Sequence, residues 1–477
     1  MATTDFIAAI ELSSSRVSGI AGQKNADGSI HVLAYAFEDA RLFIRKGLIF
    51  NIDKAKAALS SVIRQLEVQL GSSIAKVYVG IGGQSMRTVN NEINRELTGE
   101  EKISQTLIDQ ICDENREDPI ADMSILDFEP QEYNIDGKLV NEPVGVTGQH
   151  LTARFLNVVA RATMRKNLEQ SFEEAHVEAA DIFIIPRALA HSVLTVDELR
   201  AGCALVDFGA ETTTVTIYKN NLMRYMTVIP LGGNAITKDL TTLQIEDEEA
   251  EQLKLSYIKA DGEEDSEKTY KLLDGRTVLA SQINDIIESR VEEIIANVWN
   301  QIQLSGYEDK LLQGVVFTGG ACKLPGLEEA FKKASGLEKV RKALSAQQRL
   351  EGISASINKD GNTNALIGLL CMGNDNCWKP EPKPEPVKPV VQEEPKTGDM
   401  FAEDEDLKRQ EEEARRARAE QEAAEKRRRE EEEKLRKKEE KAAEKKKKGR
   451  GWFTETLGKI TNELFAEEDN LTDNTTK

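Results

Sequence analysis

Apolar positions change their period along the chain. At 6–10, 17–21 and 30–37 they form short runs or alternations of strand length, split by Ser13-Ser14-Ser15 and by the turn-forming Asn25-Ala26-Asp27-Gly28. Over 53–70 they recur every three to four positions, with Asp53 placed to cap the start and Gly71 just past the end, which predicts a helix. Residues 76–81 read as a strand again. Both periods together predict an α/β fold.

The pattern then repeats. Residues 203–208, 213–218 and 223–230 read as strand, small-residue hairpin, strand, Asn-rich turn, strand, the plan of 6–37. Duplication of a domain core is the expected cause. Two similar halves facing each other make a cleft, where small ligands bind. Residues 85–160 break the plan and predict an inserted subdomain with a helix near 103–111. Further helices are predicted at 166–179, 245–257, 278–304 and after Pro325. Strands are expected at 181–186 and 314–317.

Folded character is expected to stop near Trp378. Residues 379–395 are Pro-rich and predict an extended spacer. Residues 401–450 hold 19 Lys/Arg and 17 Asp/Glu, many as Glu four positions before a base, such as Glu411–Arg415 and Glu433–Lys437. Leu407 and Leu435 are too few to make an a/d seam, so this block reads as a solvated helix or a partly helical tether. Beyond it, Phe453, Leu457, Ile460 and Leu464 form one helical stripe, with Trp452 and Phe465 at its margins and the bases 445–448 and Arg450 just before it. An aromatic-rich stripe beside basic residues predicts a helix lying in a membrane interface.

Charge and composition narrow the function. The 477 residues carry a formal charge of −20, which argues against a nucleic-acid partner because phosphates would be repelled. The five cysteines are scattered and match no metal spacing, which fits a reducing compartment. The start of the chain lacks a basic signal-peptide region, and the apolar run 365–372 is far short of the roughly 18 residues that span a bilayer. The expectation is a cytoplasmic protein held at a membrane surface.

Three motifs carry candidate chemistry. In VDFGAETTT (206–214) a buried strand delivers Asp207, Gly209 lets the backbone turn close to a phosphate, and Thr212 and Thr213 offer hydroxyls. Asp207 suits a magnesium ion. Glu11 holds the equivalent place in the first hairpin, before Ser13, Ser14 and Ser15. VVFTGG (315–320) ends a strand in Gly319-Gly320, which opens bare backbone to a ligand ring and sugar. An ordinary polar hairpin remains the other reading of 206–214 taken alone.

In this order, with the small-residue segment NTNALIGLL (362–370), the motifs resemble the actin-like ATPase superfamily. VIPLGGNAITKDL (228–240), AEQLK (250–254), IIESRVEEI (286–294) and EPVGVTGQHL (142–151) resemble the FtsA family of bacterial cell-division proteins. The resemblance implies an actin-like, ribonuclease H-like pair of halves. Subdomain 1A would comprise 1–84 and 161–200, an FtsA-type subdomain 1C 85–160, subdomain 2A 201–240 and 304–377, and subdomain 2B 241–303. A linker and tether at 378–448, a membrane helix at 449–466 and a tail at 467–477 would follow.

It further implies ATP and Mg²⁺ between the halves. Gly232 and Gly233 would line the phosphate and ribose, and Glu251 and Lys254 would contact the adenosine. Implied partners are the FtsZ C-terminal tail, gripped near Arg276 and Arg290, other division proteins, further copies of the chain, and an anionic membrane. The implied role is to tether the FtsZ ring peripherally to the cytoplasmic face of the cytoplasmic membrane at the division site and to help recruit the division machinery. The first hairpin departs from the family's Asp-x-Gly-Thr/Ser, so ATP is expected to act as a conformational ligand with at most slow hydrolysis. A PilM-like scaffold and an actin-superfamily kinase or ATPase are the alternative readings.

Overall fold

A computed structural model describes residues 5–259, 268–348, 350–352 and 361–379, with 98–101 by backbone only. All of them lie in the first of the two units into which the chain divides, 1–382 and 383–477. The spacer, the charged block and the apolar tip that includes Trp452, Phe453, Leu457, Ile460, Leu464 and Phe465 lie outside the described residues.

The first half opens with an antiparallel meander of β1 (Ile7–Leu12), β2 (Arg16–Lys24) and β3 (Ile30–Asp39). A tight hairpin, β4 (Ile44–Arg45) and β5 (Leu48–Ile49), leads to α1 (Ile52–Leu70). The buried face of α1 carries Ala55, Leu59, Val62 and Leu66, the three-to-four spacing read from sequence. Its cap is Asn51 rather than the expected Asp53: the Asn51 side chain accepts from the Lys54 amide at 3.0 Å, while Asp53 sits in the first turn. Gly71 ends it with φ 64°. β6 (Lys76–Ile81) then pairs parallel to β1.

The insert comprises β7 (Arg87–Lys102), α2 (Gln105–Glu117), β8 (Met123–Ile135), β9 (Lys138–Val140) and β10 (Thr147–Arg161). It has its own core, in which Ile93, Ile108, Ile111, Leu151 and Phe155 are buried. The chain returns through α3 (Ala162–Glu174), β11 (Glu178–Ile184), α4 (Ile185–Val193) and α5 (Val196–Ala201). The expected 166–179 helix therefore starts and stops earlier. The expected strand 181–186 loses Pro186 to the first turn of α4, where a missing N–H costs nothing.

The second half repeats the first. β12 (Cys203–Phe208), β13 (Thr213–Lys219) and β14 (Leu222–Ile229) form the meander. α6 (Gly233–Leu240), α7 (Asp247–Lys259), the hairpin β15 (Thr269–Lys271) and β16 (Thr277–Leu279), and α8 (Ala280–Leu304) follow. β17 (Val315–Thr318) pairs parallel to β12, α9 (Leu327–Ser335) covers it, and β18 (Val340–Lys342) extends the sheet. β12 and β17 are buried on both faces, which explains their unbroken apolar runs.

The sheet orders make the repeat explicit. With β19 (Leu350–Gly352), the first sheet reads β11-β6-β1-β2-β3-β19, and the second reads β18-β17-β12-β13-β14-β7-β10-β8-β9. β6 and β11 thus correspond to β17 and β18. The insert joins the second sheet, with Thr227 opposite Arg87 and the Thr88 hydroxyl bonded to the Met226 backbone.

One segment lies where sequence order does not suggest. The expected second-half stretch 304–377 ends in α10 (Asn364–Met372), which packs on α4, β1, β2 and β6 of the first half. Leu366, Ile367, Leu369 and Leu370 are fully buried there, each stabilising by about 1.5–3 kcal/mol. A helix apolar on all sides needs cover on all sides, and the space between α4 and the first sheet supplies it.

Candidate functional site

The two meanders face a cleft of about 650 Å³, within the roughly 300–1,000 Å³ common for small-molecule sites. Glu11, Ser13, Ser14, Ser15, Asp207, Gly209, Thr212, Gly233, Glu251, Lys254, Gly319 and Gly320 all line it. Thr213 does not: it is buried in β13 and donates to the Leu231 carbonyl at 2.8 Å. Gly232 lies behind the lining, where an added Cβ would come 2.6 Å from the Gly209 carbonyl oxygen.

Glu11 and Asp207 lie at corresponding positions in β1 and β12. Burial pushes the Asp207 carboxyl up to about 6. Glu11 is pushed up to about 7, first by burial and then by the Asp207 charge, with Arg16 pulling the other way. Two carboxylates resisting ionisation in one cleft make a good seat for a divalent cation, which would remove the repulsion. The Ser18 hydroxyl, opposite Glu11 in register, is buried without a hydrogen-bond partner among the described residues, so polar capacity is left over beside the pair. No group of three or more His, Cys, Asp or Glu suited to a metal occurs among the described residues, so an ion here needs ligand oxygens and water to complete its shell. The donor set fits Mg²⁺ on those terms.

The second-half hairpin leaves backbone donors free. Its turn is closed by the Gly209 amide donating to the Thr212 carbonyl at 2.9 Å. The amides of Ala210, Glu211 and Thr212 have no protein acceptor among the described residues. Such a turn is an anion cradle. Gly319 follows β17 with φ 88°, and a Cβ there would stand 2.4 Å from Asp207 Oδ1 and 2.5 Å from the Phe208 carbonyl oxygen. Glycine alone lets this strand end pass under the carboxylate.

Lys254 lines the cleft and is held from the protein side. Its Nζ is buried and donates to Gly233 O at 3.1 Å, Thr237 Oγ1 at 2.8 Å and Glu251 Oε2 at 2.6 Å. All three protons are spent inside the protein, clamping α7 to the start of α6. Arg276 and Arg290 lie outside the cleft lining and are also engaged. Arg276 bonds Asp274 and the carbonyls of Leu243 and Gln244. Arg290 grips Asp239 through two nitrogens, at 2.6 and 3.0 Å.

Sequence reasoning missed several lining residues: Arg16, Gly82, Gly83, Asn234, Lys323 and Asn362. Gly82-Gly83 follow β6 as Gly319-Gly320 follow β17, so the duplication carried their signal. The halves also touch here, because the Lys46 amide at the β4–β5 turn donates to the Glu211 carboxylate.

Comparison with known proteins agrees with this architecture. Residues 204–359 match the family profile "Cell division protein FtsA", and residues 83–159 match "SHS2 domain inserted in FTSA". The chain is 31% identical over 338 residues to the cell division protein FtsA of Porphyromonas gingivalis, covering 69% of this chain and 71% of that protein. It is 30% identical over 410 residues to the Neisseria meningitidis protein of the same name, covering 83% of this chain and 96% of that one. Among solved structures, a PilM-PilN type IV pilus biogenesis complex shares the fold with a TM-score of 0.55 at 13% identity, covering 78% of this chain and 99% of that one. The duplicated halves with an SHS2 insert are an actin-like fold, and with two relatives so similar over most of their length the chain is a cell division protein belonging to the FtsA family.

Proposed function

We propose that the cleft binds ATP with Mg²⁺ and that the nucleotide sets the conformation of a self-associating body tethering the FtsZ ring to the membrane. The observation that carries this reading is the convergence of Glu11, Asp207, the open Gly209–Thr212 turn and Gly319-Gly320 on one cleft between duplicated halves. Glu11 and Asp207 would hold the metal, which when bound offsets phosphate charge. Ser14 and Ser15 would face the phosphates with Gly209 and Thr212, and Gly233, Glu251 and Gly319-Gly320 would line the nucleoside side. Lys254 would hold Gly233 and Glu251 in place.

The family's cell-division role supports partners in the division machinery. The FtsZ tail is assigned to the face of 241–303, where its carboxylates compete with Asp274 for Arg276 and with Asp239 for Arg290. No helix among the described residues is long and apolar enough to cross a membrane. Attachment to the cytoplasmic face of the membrane is assigned to the stripe Trp452, Phe453, Leu457, Ile460, Leu464 and Phe465. The likeness to a pilus complex is one of fold and favours no pilus role.

Asp207→Ala is expected to remove ATP binding measured by calorimetry on the full chain with Mg²⁺, and unchanged affinity would refute the site. Trp452→Glu and Leu457→Glu are each expected to release the protein from anionic vesicles in a flotation assay. Full retention of both variants would sink the anchor.

A further inference from the structure

Arg16 opens β2 directly after the Ser13–Ser15 turn and lines the cleft. Strand register places it on the functional face. Glu11 lies opposite Ser18, Ser18 opposite Phe37, and Arg16 opposite Asp39, so these side chains share one side of the sheet. The guanidinium carbon stands 5.5 Å from the centre of the Phe37 ring. Such stacking holds an arginine in place without using its N–H groups.

Those N–H groups are unspent. The Arg16 backbone bonds to Ser13, but its guanidinium makes no hydrogen bond or ion pair among the described residues. Asp39, its opposite in register, is taken by Arg41 through both carboxylate oxygens. Other cleft cations are placed differently: Arg41 is held by Asp39, Lys254 is enclosed by its three acceptors, and Lys238 and Lys323 belong to the second half. Arg16 is thus a first-half cation, close enough to Glu11 for its charge to act there, with a free donor fork turned to the cleft.

We propose that Arg16 is a phosphate-positioning residue, binding the polyphosphate oxygens of the nucleotide from the first half while the amides of the 209–212 turn bind from the second. The proposal rests on the nucleotide reading above. Its physical basis is charge: a polyphosphate placed beside two carboxylates needs more positive charge than one divalent ion provides, and a planar guanidinium meets phosphate oxygens two at a time.

The test compares ATP, ADP and adenosine binding to the full chain with Mg²⁺, adenosine being measured as a competitor of labelled ATP. Arg16→Met keeps an apolar stem over Phe37 and is expected to weaken ATP and ADP by about 10- to 100-fold, the size of a lost charge-assisted hydrogen bond, with adenosine within about twofold. Arg16→Lys is expected to recover part of the loss, because it restores the charge without the fork. A purely structural role would weaken all three ligands together, and that outcome overturns the proposal. Arg16→Met binding ATP within about twofold of wild type, while Asp207→Ala does not bind, overturns it and leaves the nucleotide reading standing. Wild-type protein that binds none of the three removes both.

Discussion

The two hairpins that face the cleft share a frame and differ in which polar groups they leave free. In both, an antiparallel pair brings a carboxylate to the cleft beside a parallel strand, Glu11 next to Gly80 and Asp207 next to Thr318. The first turn spends the Ser13 and Ser14 hydroxyls within its own half. Ser13 Oγ donates to the Arg16 carbonyl at 3.0 Å, and Ser14 Oγ accepts from the Gly47 amide at 2.9 Å. Each turn closes with one backbone bond, Ser13 N–H to Arg16 O and Gly209 N–H to Thr212 O. Among the described residues the first leaves the Ser14 and Ser15 amides without an acceptor and the second leaves those of Ala210, Glu211 and Thr212, while Glu211 at its tip reaches Lys46 of the other half. Duplication preserved the strand frame, and the difference in function lies in the residual hydrogen-bonding capacity. The second half is built for close backbone approach and clasps its partner through Glu211, and the first adds the charge of Arg16.

The largest expected break in this comparison comes from adding one methyl group to the second half. Gly319→Ala puts a Cβ at φ 88° against Asp207 Oδ1 and the Phe208 carbonyl. Backbone strain of this kind costs about 1–3 kcal/mol before the contact is relieved, and relief displaces the Asp207 carboxylate. The expected result is a loss of about 2–3 kcal/mol in denaturant unfolding together with loss of ATP binding. The counterpart in the first half, Ser13→Ala, removes a hydroxyl that serves only its own turn and should cost about 1 kcal/mol while ATP binding persists. Equal losses of binding from both changes would contradict the asymmetry.

Much of the fold was legible because the repeat is written in strand periodicity. Residues 76–81 and 203–208 match β6 and β12 at both ends, and the VDFG and TGG motifs lie on strand ends whose pairing brings Asp207 beside Thr318. What escaped was decided by register and by return of the chain. Arg16 reads as an ordinary strand-edge charge until its pairing with Asp39 puts it on the face of Glu11. α10 follows the second half in sequence, yet its uniformly apolar surface is buried by the first. The grip of Lys254 on Gly233, Thr237 and Glu251 depends on how α7 packs on α6, which the AEQLK motif does not display. Asn51 and Asp53 are both capping residue types two positions apart, and the hydrophobic period does not choose between them.

The smallest effect is a titration that separates the halves. Glu11 rises from an ordinary 4.5 to about 7, and Asp207 from 3.8 to about 6. A carboxyl whose folded pKa is raised binds its proton more tightly in the folded state. The stability it confers is therefore complete below its ordinary pKa and is lost as pH rises through the folded one. Without nucleotide and metal, the thermal midpoint should fall from about pH 4 to pH 7, with the Asp207 share lost first and the Glu11 share at higher pH. Glu11→Gln removes a share that runs from about pH 4.5 to 7, so its midpoint should fall less steeply than wild type over that range, most clearly between about pH 6 and 7 where Asp207 no longer contributes. Arg16 faces Glu11 and moderates the rise, so Arg16→Met should move the Glu11 step to higher pH. Bound Mg²⁺ and nucleotide should flatten the upper part of the profile, because the ionised carboxylates then have a cation to face. A Glu11→Gln profile parallel to wild type across that range would mean that the first-half carboxylate ionises freely, and the contrast between the two halves would then rest on Asp207 alone.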